Sequence, residues 1–270
     1  MERSIEESIE DKIKTEAELA AYEGPDRIVS SIHMSDHLLA MTRDRREVSM
    51  SSGIPTLDRY IQTFDGGELT VISGPTGNGK TLFARSLTRE FFMQDKYVLW
   101  FTYEEPPKQF LAQFHTPLPL FLMPLELKSS SLKWIQQRVW EAKIKYGLDA
   151  VFIDHLHFII DMNNKGNMAL EIGSVMRSLK RMAIRFNIAV FILVHTNRAK
   201  LDGEPDVDSL RDSALIGCES DNVLFIWRIM NTETGATLKI SKNRRFGVMG
   251  KKIHLQKQGQ YLQELTHDIS

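Results

Sequence analysis

The sequence has a single cysteine, Cys218, in 270 residues, so neither an internal disulfide nor a cysteine-rich zinc module can form. One thiol suits a reducing compartment, and Cys218 itself reads as a small buried apolar residue. Charge of neither sign dominates: 34 Lys and Arg against 35 Asp and Glu leave a formal charge of −1, which excludes a global basic field. Any nucleic-acid contact must therefore come from a local patch or from an assembled surface. No apolar run approaches the roughly 18 residues of a membrane span, and Met1-Glu2-Arg3-Ser4-Ile5-Glu6-Glu7 contains no apolar targeting core. A cytoplasmic protein (host cytoplasm if the source is viral) with no membrane contact is the expectation. Internal repeats and low-complexity tracts are missing as well. With 42% hydrophobic residues, the chain has apolar material for one large α/β domain plus an extension.

The most informative stretch is Gly74-Pro75-Thr76-Gly77-Asn78-Gly79-Lys80-Thr81, in which two glycines flank four residues and Lys-Thr follows. That spacing makes a phosphate cradle. The glycines let the backbone turn and aim N–H groups at phosphate oxygens, Lys80 reaches the β/γ-phosphates, and the Thr81 hydroxyl can hold Mg²⁺. Leu69–Ser73 before it reads as a buried strand and Leu82–Met93 after it as a helix, whose N-terminal dipole favours phosphate.

Further strands end in polar groups. Tyr97–Thr102 is apolar and runs into Tyr103-Glu104-Glu105 and a proline pair, so one of the two acids could orient or deprotonate an attacking water; helix N-cap acids are the plainer reading. Asp149–Asp154 is a strand ending in an acid suited to the Mg²⁺ site. His155-Leu156-His157 has the alternation that can pinch zinc, but no nearby cysteine or acidic cluster completes a ligand set. Ile188–Val194 is a continuous apolar run, hence a central strand, and ends in His195. Around these lie a proline-rich stretch, 115–124, read as a surface insertion or short edge strand, and two amphipathic helices, Ser131–Tyr146 and the one from Met168 to Phe186. In the latter, Arg177, Lys180, Arg181 and Arg185 read as a solvated face. A helix over Asp208–Ile216 and strands at Asn222–Trp227, Ala236–Lys242, Lys251–Gln256 and Tyr261–Leu265 close the chain. Residues 1–50 form a charged extension with helices expected at Glu16–Tyr22 and Arg27–Arg46. The partial stripe Ile28, Ile32, Leu38, Leu39 and Met41 must pack on its own domain or a neighbouring subunit. Ser51–Pro55 reads as a linker to a domain spanning 51–270.

Lys80, Glu104, Asp154 and His195 at successive strand ends resemble a RecA-type ATPase core: an α/β fold with a central, mostly parallel sheet flanked by helices. Three later blocks narrow the likeness, namely Asp208-Ser209-Leu210-Arg211-Asp212-Ser213-Ala214-Leu215-Ile216-Gly217, Asp221–Arg228, and Lys242-Asn243-Arg244 with Gly247 and Gly250. Together they resemble the DnaB-like ring helicases, with His195 and the Asp154-His155 pair closest to the phage primase-helicase and Twinkle branch. The likeness covers about residues 50–265, and no primase domain is evident. It implies ATP and Mg²⁺ as ligands, Lys80 and Thr81 as the phosphate-loop pair, Thr81 and Asp154 at the metal, and Glu104 as catalytic base. It also implies His195 as the γ-phosphate sensor, and Arg244 with Lys242 as a finger delivered to the neighbouring subunit. A homo-oligomer, a hexameric ring, would hold single-stranded DNA on loops at Asn163–Gly166 and Arg198–Gly203, through Lys165, Arg198 and Lys200. A separate primase or loader would complete the set of partners. The Glu104-Glu105 pair also resembles the RadA and KaiC type, whose ATP-dependent rings and filaments do not unwind duplex.

Overall fold

The computed structural model describes residues 18, 20–24, 27–42, 47–160, 168–196, 214–229, 232 and 234–265. Two compact units divide the chain, Met1–Glu47 and Val48–Ser270. In the first, helix α1 (Ser31–Thr42) starts after Ser30, whose hydroxyl accepts a bond from His33 N at 3.1 Å. It starts later than the Arg27–Arg46 expectation because this cap fixes its start, and residues 43–46 of that expectation lie outside the described residues. Ile28, Ile32 and Leu38 are exposed. Of the Glu16–Tyr22 expectation, residues 16, 17 and 19 lie outside the described residues, and Glu18 and Ala20 are helical.

The second unit is built on one sheet. Its strands are β3 (Leu69–Gly74), β4 (Val98–Thr102), β5 (Ala150–Asp154), β6 (Ala189–His195), β7 (Asn222–Arg228), β8 (Gly235–Asn243), β9 (Lys251–Gln258) and β10 (Tyr261–Glu264). They lie in the order β10-β9-β8-β7-β3-β6-β5-β4. From β7 to β4 the strands are parallel, and β8 to β10 add an antiparallel flank. Central strands are apolar without alternation because both faces are covered. Ile72, Phe152 and Phe191 pack in one cluster with Leu87 and Phe91 of α3 (Lys80–Met93). Their neighbours Val71, Val151 and Ile192 pack on the other side with Val139 of α5 (Leu132–Tyr146) and Met176 and Leu179 of α6 (Met168–Phe186). Phe152 stacks on Phe191 at 4.4 Å and Trp100 on Phe152 at 4.8 Å, which locks the register of the strands that carry the polar ends.

Two expectations change in the second unit and a third is narrowed. Ser51–Pro55 is not a linker. Ser52 and Ile54 are buried, and Asp58 accepts bonds from Ser52 N and Oγ, both at 2.7 Å, fixing the start of α2 (Pro55–Ile61) between β1 (Ser49–Met50) and β2 (Phe64–Asp65). The proline-rich stretch serves as the edge piece: Leu122 N donates to Val98 O at 2.7 Å, and its carbonyl accepts from Trp100 N at 2.9 Å. It thereby shields the outer edge of β4. Cys218 is exposed, because α7 (Ala214–Glu219) turns Ile216 and Gly217 inward and leaves the thiol on the other side. Residues 208–213 of the expected Asp208–Ile216 helix lie outside the described residues. Among the described residues, no helix is long and apolar enough to cross a membrane.

Candidate nucleotide site

Parallel strands send their C-terminal ends to one side of a sheet, and register decides which ends meet. Here Gly74 pairs with His195, Asp154 with Leu193, and Thr102 with Asp154. The residues at and just beyond those ends therefore share one crevice.

The loop between β3 and α3 must be glycine at two points. Gly74 has φ 151°, and a Cβ there would sit 2.0 Å from the carbonyl oxygen of Ile226. Gly79, with φ 100°, is the left-handed residue from which α3 starts. Asn78 steadies the turn by donating to Thr76 O at 3.1 Å and accepting from Arg228 N at 3.0 Å. Lys80 is buried, and its Nζ donates to the loop carbonyls of Gly74 at 3.0 Å and Pro75 at 3.1 Å. Burial lowers its pKa, an effect opposed by the carboxylates of Asp154 and Glu104.

Asp154 is also buried. Its Oδ2 accepts from Thr81 Oγ1 at 2.9 Å, while its Oδ1 has no hydrogen-bond partner among the described residues. A hydroxyl beside a carboxylate with one free oxygen, both hard oxygen donors, fits Mg²⁺. Burial pushes the Asp154 carboxyl up to about 7, against the lowering effect of the Thr81 hydrogen bond. The group thus keeps its proton in the folded chain well above the pH at which an unfolded aspartate loses it. Its contribution to the stability of the metal-free chain is present below the unfolded value of 3.8 and is lost as pH rises through about 7. Mg²⁺ held by Asp154 would have to displace this proton, in which case Mg²⁺-dependent nucleotide binding should be about tenfold tighter at pH 8 than at pH 6. Titrating a fluorescent nucleotide at the two pH values, with and without Mg²⁺, checks it. A flat Mg²⁺ dependence would remove Asp154 from the metal.

Glu104 lies two residues beyond β4. Its Oε2 stands 3.2 Å from His155 Nδ1 and 3.6 Å from His195 Nε2, and the two imidazole centroids are 4.3 Å apart. His195 Nδ1 is 3.4 Å from Thr76 Oγ1 on the phosphate loop. Burial, reinforced by nearby Lys80, pushes His195 down to about 4, so its ring is neutral across the physiological range. Burial also lowers His155. Glu105 points elsewhere and accepts from Gln113 Nε2 at 2.6 Å. Neither acid caps the following helix α4 (Pro107–Ala112), whose N-cap is Pro106.

Lys80, Thr81, Glu104, Asp154 and His195 are thus brought together, but Lys242 and Arg244 are not among them. They lie at the opposite end of the sheet. Arg244 N donates to Asp221 O at 2.8 Å, just before β7, and Asp221 Oδ2 accepts from Leu69 N at 2.8 Å, where β3 begins. Arg244 also donates to Asp221 Oδ1 at 3.1 Å and Cys218 O at 2.7 Å, and Lys242 to Gly217 O at 2.6 Å and Ser220 O at 2.7 Å. The length of β3 separates them from the phosphate loop, roughly 17 Å at strand rise. Sequence reasoning missed Asp221 and His155 as organising groups. It also misassigned Lys180, which is not part of a solvated face: its Nζ donates to Gly67 O at 2.7 Å and Asp221 Oδ2 at 2.6 Å, because the acid buried at the start of β7 needs a counter-charge. Lys165, Arg198 and Lys200, and the loops Asn163–Gly166 and Arg198–Gly203, lie outside the described residues.

Comparison with known proteins places this geometry in context. Residues 119–263 match the family model of the DnaB-like helicase C-terminal domain, and residues 50–117 match the KaiC ATPase model. The probable plasmid replicative DNA helicase of Chlamydia psittaci is 24% identical over 223 residues, covering 69% of this chain and 49% of that protein. The replicative DNA helicase DnaB of Pasteurella multocida is 24% identical over 261 residues, covering 79% and 54%. The chain therefore spans about half the length of the curated relatives it matches. A solved DnaB-like replicative helicase, described with its interactions with primase, superposes with a TM-score of 0.72 at 17% identity, covering 98% of this chain and 72% of the other.

Proposed function

The chain belongs to the DnaB-like helicase C-terminal domain family, and on that premise we propose that it is a ring-forming motor that hydrolyses ATP at subunit interfaces to translocate on single-stranded DNA and unwind duplex. One observation carries the reading. Five groups suited to phosphoryl transfer meet at one end of the sheet, while the cationic pair Lys242 and Arg244 stands at the other, out of reach of its own chain's nucleotide. Such a chain needs a second copy to complete a site, and a closed ring, a hexamer in this reading, gives every copy a neighbour.

The geometry of the described residues supports the following division of labour. The loop from Gly74 to Thr81 cradles the phosphates of ATP, and Lys80 leaves its carbonyl partners to meet the β/γ-phosphates. Thr81 and Asp154 hold Mg²⁺, which when bound neutralises charge developing on the phosphate oxygens. Glu104, with His155 Nδ1 3.2 Å from its Oε2, takes a proton from the water as it attacks. His195, neutral and next to Thr76, donates to or releases the γ-phosphate as hydrolysis proceeds. Arg244, with Lys242 beside it, reaches the ATP of the adjacent subunit. Lys165, Arg198 and Lys200 contact DNA phosphates in the channel, and stacking copies in a ring turns a chain of net charge −1 into a positive path. A cytoplasmic protein working beside a separate primase or loader fits this reading.

The test is steady-state ATP hydrolysis with and without single-stranded DNA at fixed salt. DNA should raise turnover several-fold, and replacing Lys165, Arg198 and Lys200 together by Ala should remove the stimulation but not the basal rate. Stimulation absent in a confirmed oligomer would sink the proposal. The match of residues 50–117 to the KaiC ATPase favours a second reading, a RadA- or KaiC-type ATPase that binds DNA without unwinding it. A forked duplex left intact under vigorous DNA-stimulated hydrolysis would select that one.

A further inference from the structure

We propose that Glu104, His155 and His195 form a second cation site, separate from the Thr81–Asp154 pair, that takes a divalent transition metal of the zinc class and suppresses turnover while it is bound. Each of the three offers a ligand atom, and all three atoms lie within 4.8 Å of one another. In a tetrahedral zinc site with ligands at about 2.0–2.1 Å, neighbouring ligand atoms stand about 3.3 Å apart. The spacings here are 3.2 Å from His155 Nδ1 to Glu104 Oε2 and 3.6 Å from His195 Nε2 to the same oxygen. Both spacings to the shared Glu104 oxygen thus lie within a few tenths of an ångström of the tetrahedral value, and the two imidazole nitrogens stand within 4.8 Å of each other, so closing on a metal asks only for a small inward turn of the rings.

The polar bookkeeping points the same way. His155 is mostly buried, yet its Nδ1 makes no aligned hydrogen bond among the described residues, so its approach to Glu104 brings a nitrogen to an oxygen without satisfying it. A cation between them would satisfy both. The two imidazoles are borderline donors that favour zinc, copper or nickel, with the Glu104 carboxylate as third ligand, whereas Thr81 and Asp154 offer only hard oxygens for Mg²⁺. Selectivity between the two sites is thus built into donor type. His157, which the His-x-His spacing offered as the second zinc ligand, is not in the set; the acid from the end of β4 and the imidazole from the end of β6 take its place. Three protein ligands leave one coordination position open to water or a phosphate oxygen.

Occupancy would engage the Glu104 oxygen nearest both rings. The inhibition, though not the binding, rests on the proposed role of Glu104 as base. Cobalt(II) is the probe, because a tetrahedral site gives intense visible d–d bands. The full chain should take up one equivalent with those bands, zinc should displace it, and zinc should inhibit ATP hydrolysis in excess Mg²⁺. His155→Ala and Glu104→Gln should each weaken cobalt binding at least about tenfold, whereas Lys80→Ala should keep the bands although it turns over no ATP. Circular dichroism reports folding, and because Glu104 is partly exposed, Glu104→Gln decides the matter should His155→Ala fail to fold. Bands of octahedral type, or bands that survive Glu104→Gln unchanged, would overturn the site. Bands that vanish as expected while zinc leaves turnover untouched would uphold the site and instead count against Glu104 as base.

Discussion

Arg244→Ala should lower the turnover of the assembled protein by about 10³- to 10⁵-fold, the range that a finger stabilising the transferring phosphoryl group supplies. Nucleotide binding and fold should survive the change. The Arg244 side chain is 50% exposed, and Asp221, which it contacts, keeps Lys180 at 2.6 Å and Leu69 N at 2.8 Å as partners. Losing a half-exposed pair of this kind costs about 1 kcal/mol or less, too little to mimic a catalytic defect. The size of the loss alone does not show that the finger acts on a neighbour; mixing does. Lys80→Ala subunits carry an intact finger and a dead phosphate loop, and Arg244→Ala subunits carry the reverse. Combined one to one, about a quarter of interfaces join an intact loop to an intact finger if subunits associate at random. ATPase activity should therefore reappear on mixing two inactive preparations. If the mixture stays inactive while light scattering shows mixed oligomers, Arg244 does not act in trans.

How much of this could be read from the residues depended on whether a property was local. Strand runs such as Ala150–Asp154 and Ala189–His195 were legible because burial on both faces removes polar alternation, and the two long helices because Ser131 caps one and both carry an apolar stripe. The phosphate loop was legible because only glycine tolerates its backbone at Gly74 and Gly79. Long-range pairings were not. Nothing near Asp221 in sequence shows that Lys180, 41 residues away, and Leu69, 152 residues away, will satisfy it. The same holds for His155, whose neighbour His157 suggested a local metal pair, whereas its partners come from two other strands. The residues alone left Glu104 and Glu105 open and only the family resemblance chose Glu104; in the fold the two adjacent acids leave the strand end in different directions, Glu104 toward the two histidines and Glu105 toward Gln113.

That choice carries the second large effect. Glu104→Gln should reduce turnover by about 10²- to 10⁴-fold, the usual loss when a positioned base is removed, while the affinity for nucleotide stays within a few-fold. The amide keeps the shape of the carboxylate but cannot take a proton from water, so the defect falls on the chemical step. Glu105→Gln is the matched control. Its carboxylate is already occupied by Gln113 Nε2 at 2.6 Å, away from His155 and His195, so the substitution should change turnover only a few-fold. Rapid-quench measurement of a single turnover, beside binding of a fluorescent nucleotide, separates the two effects. A Glu104→Gln protein that hydrolyses within about tenfold of wild type would move the base elsewhere. Equal losses in both variants would mean that the pair supports the site only through structure. A large loss confined to Glu104 would tie proton abstraction to the one acid that the pairing of β4 with β5 turns toward the two histidines.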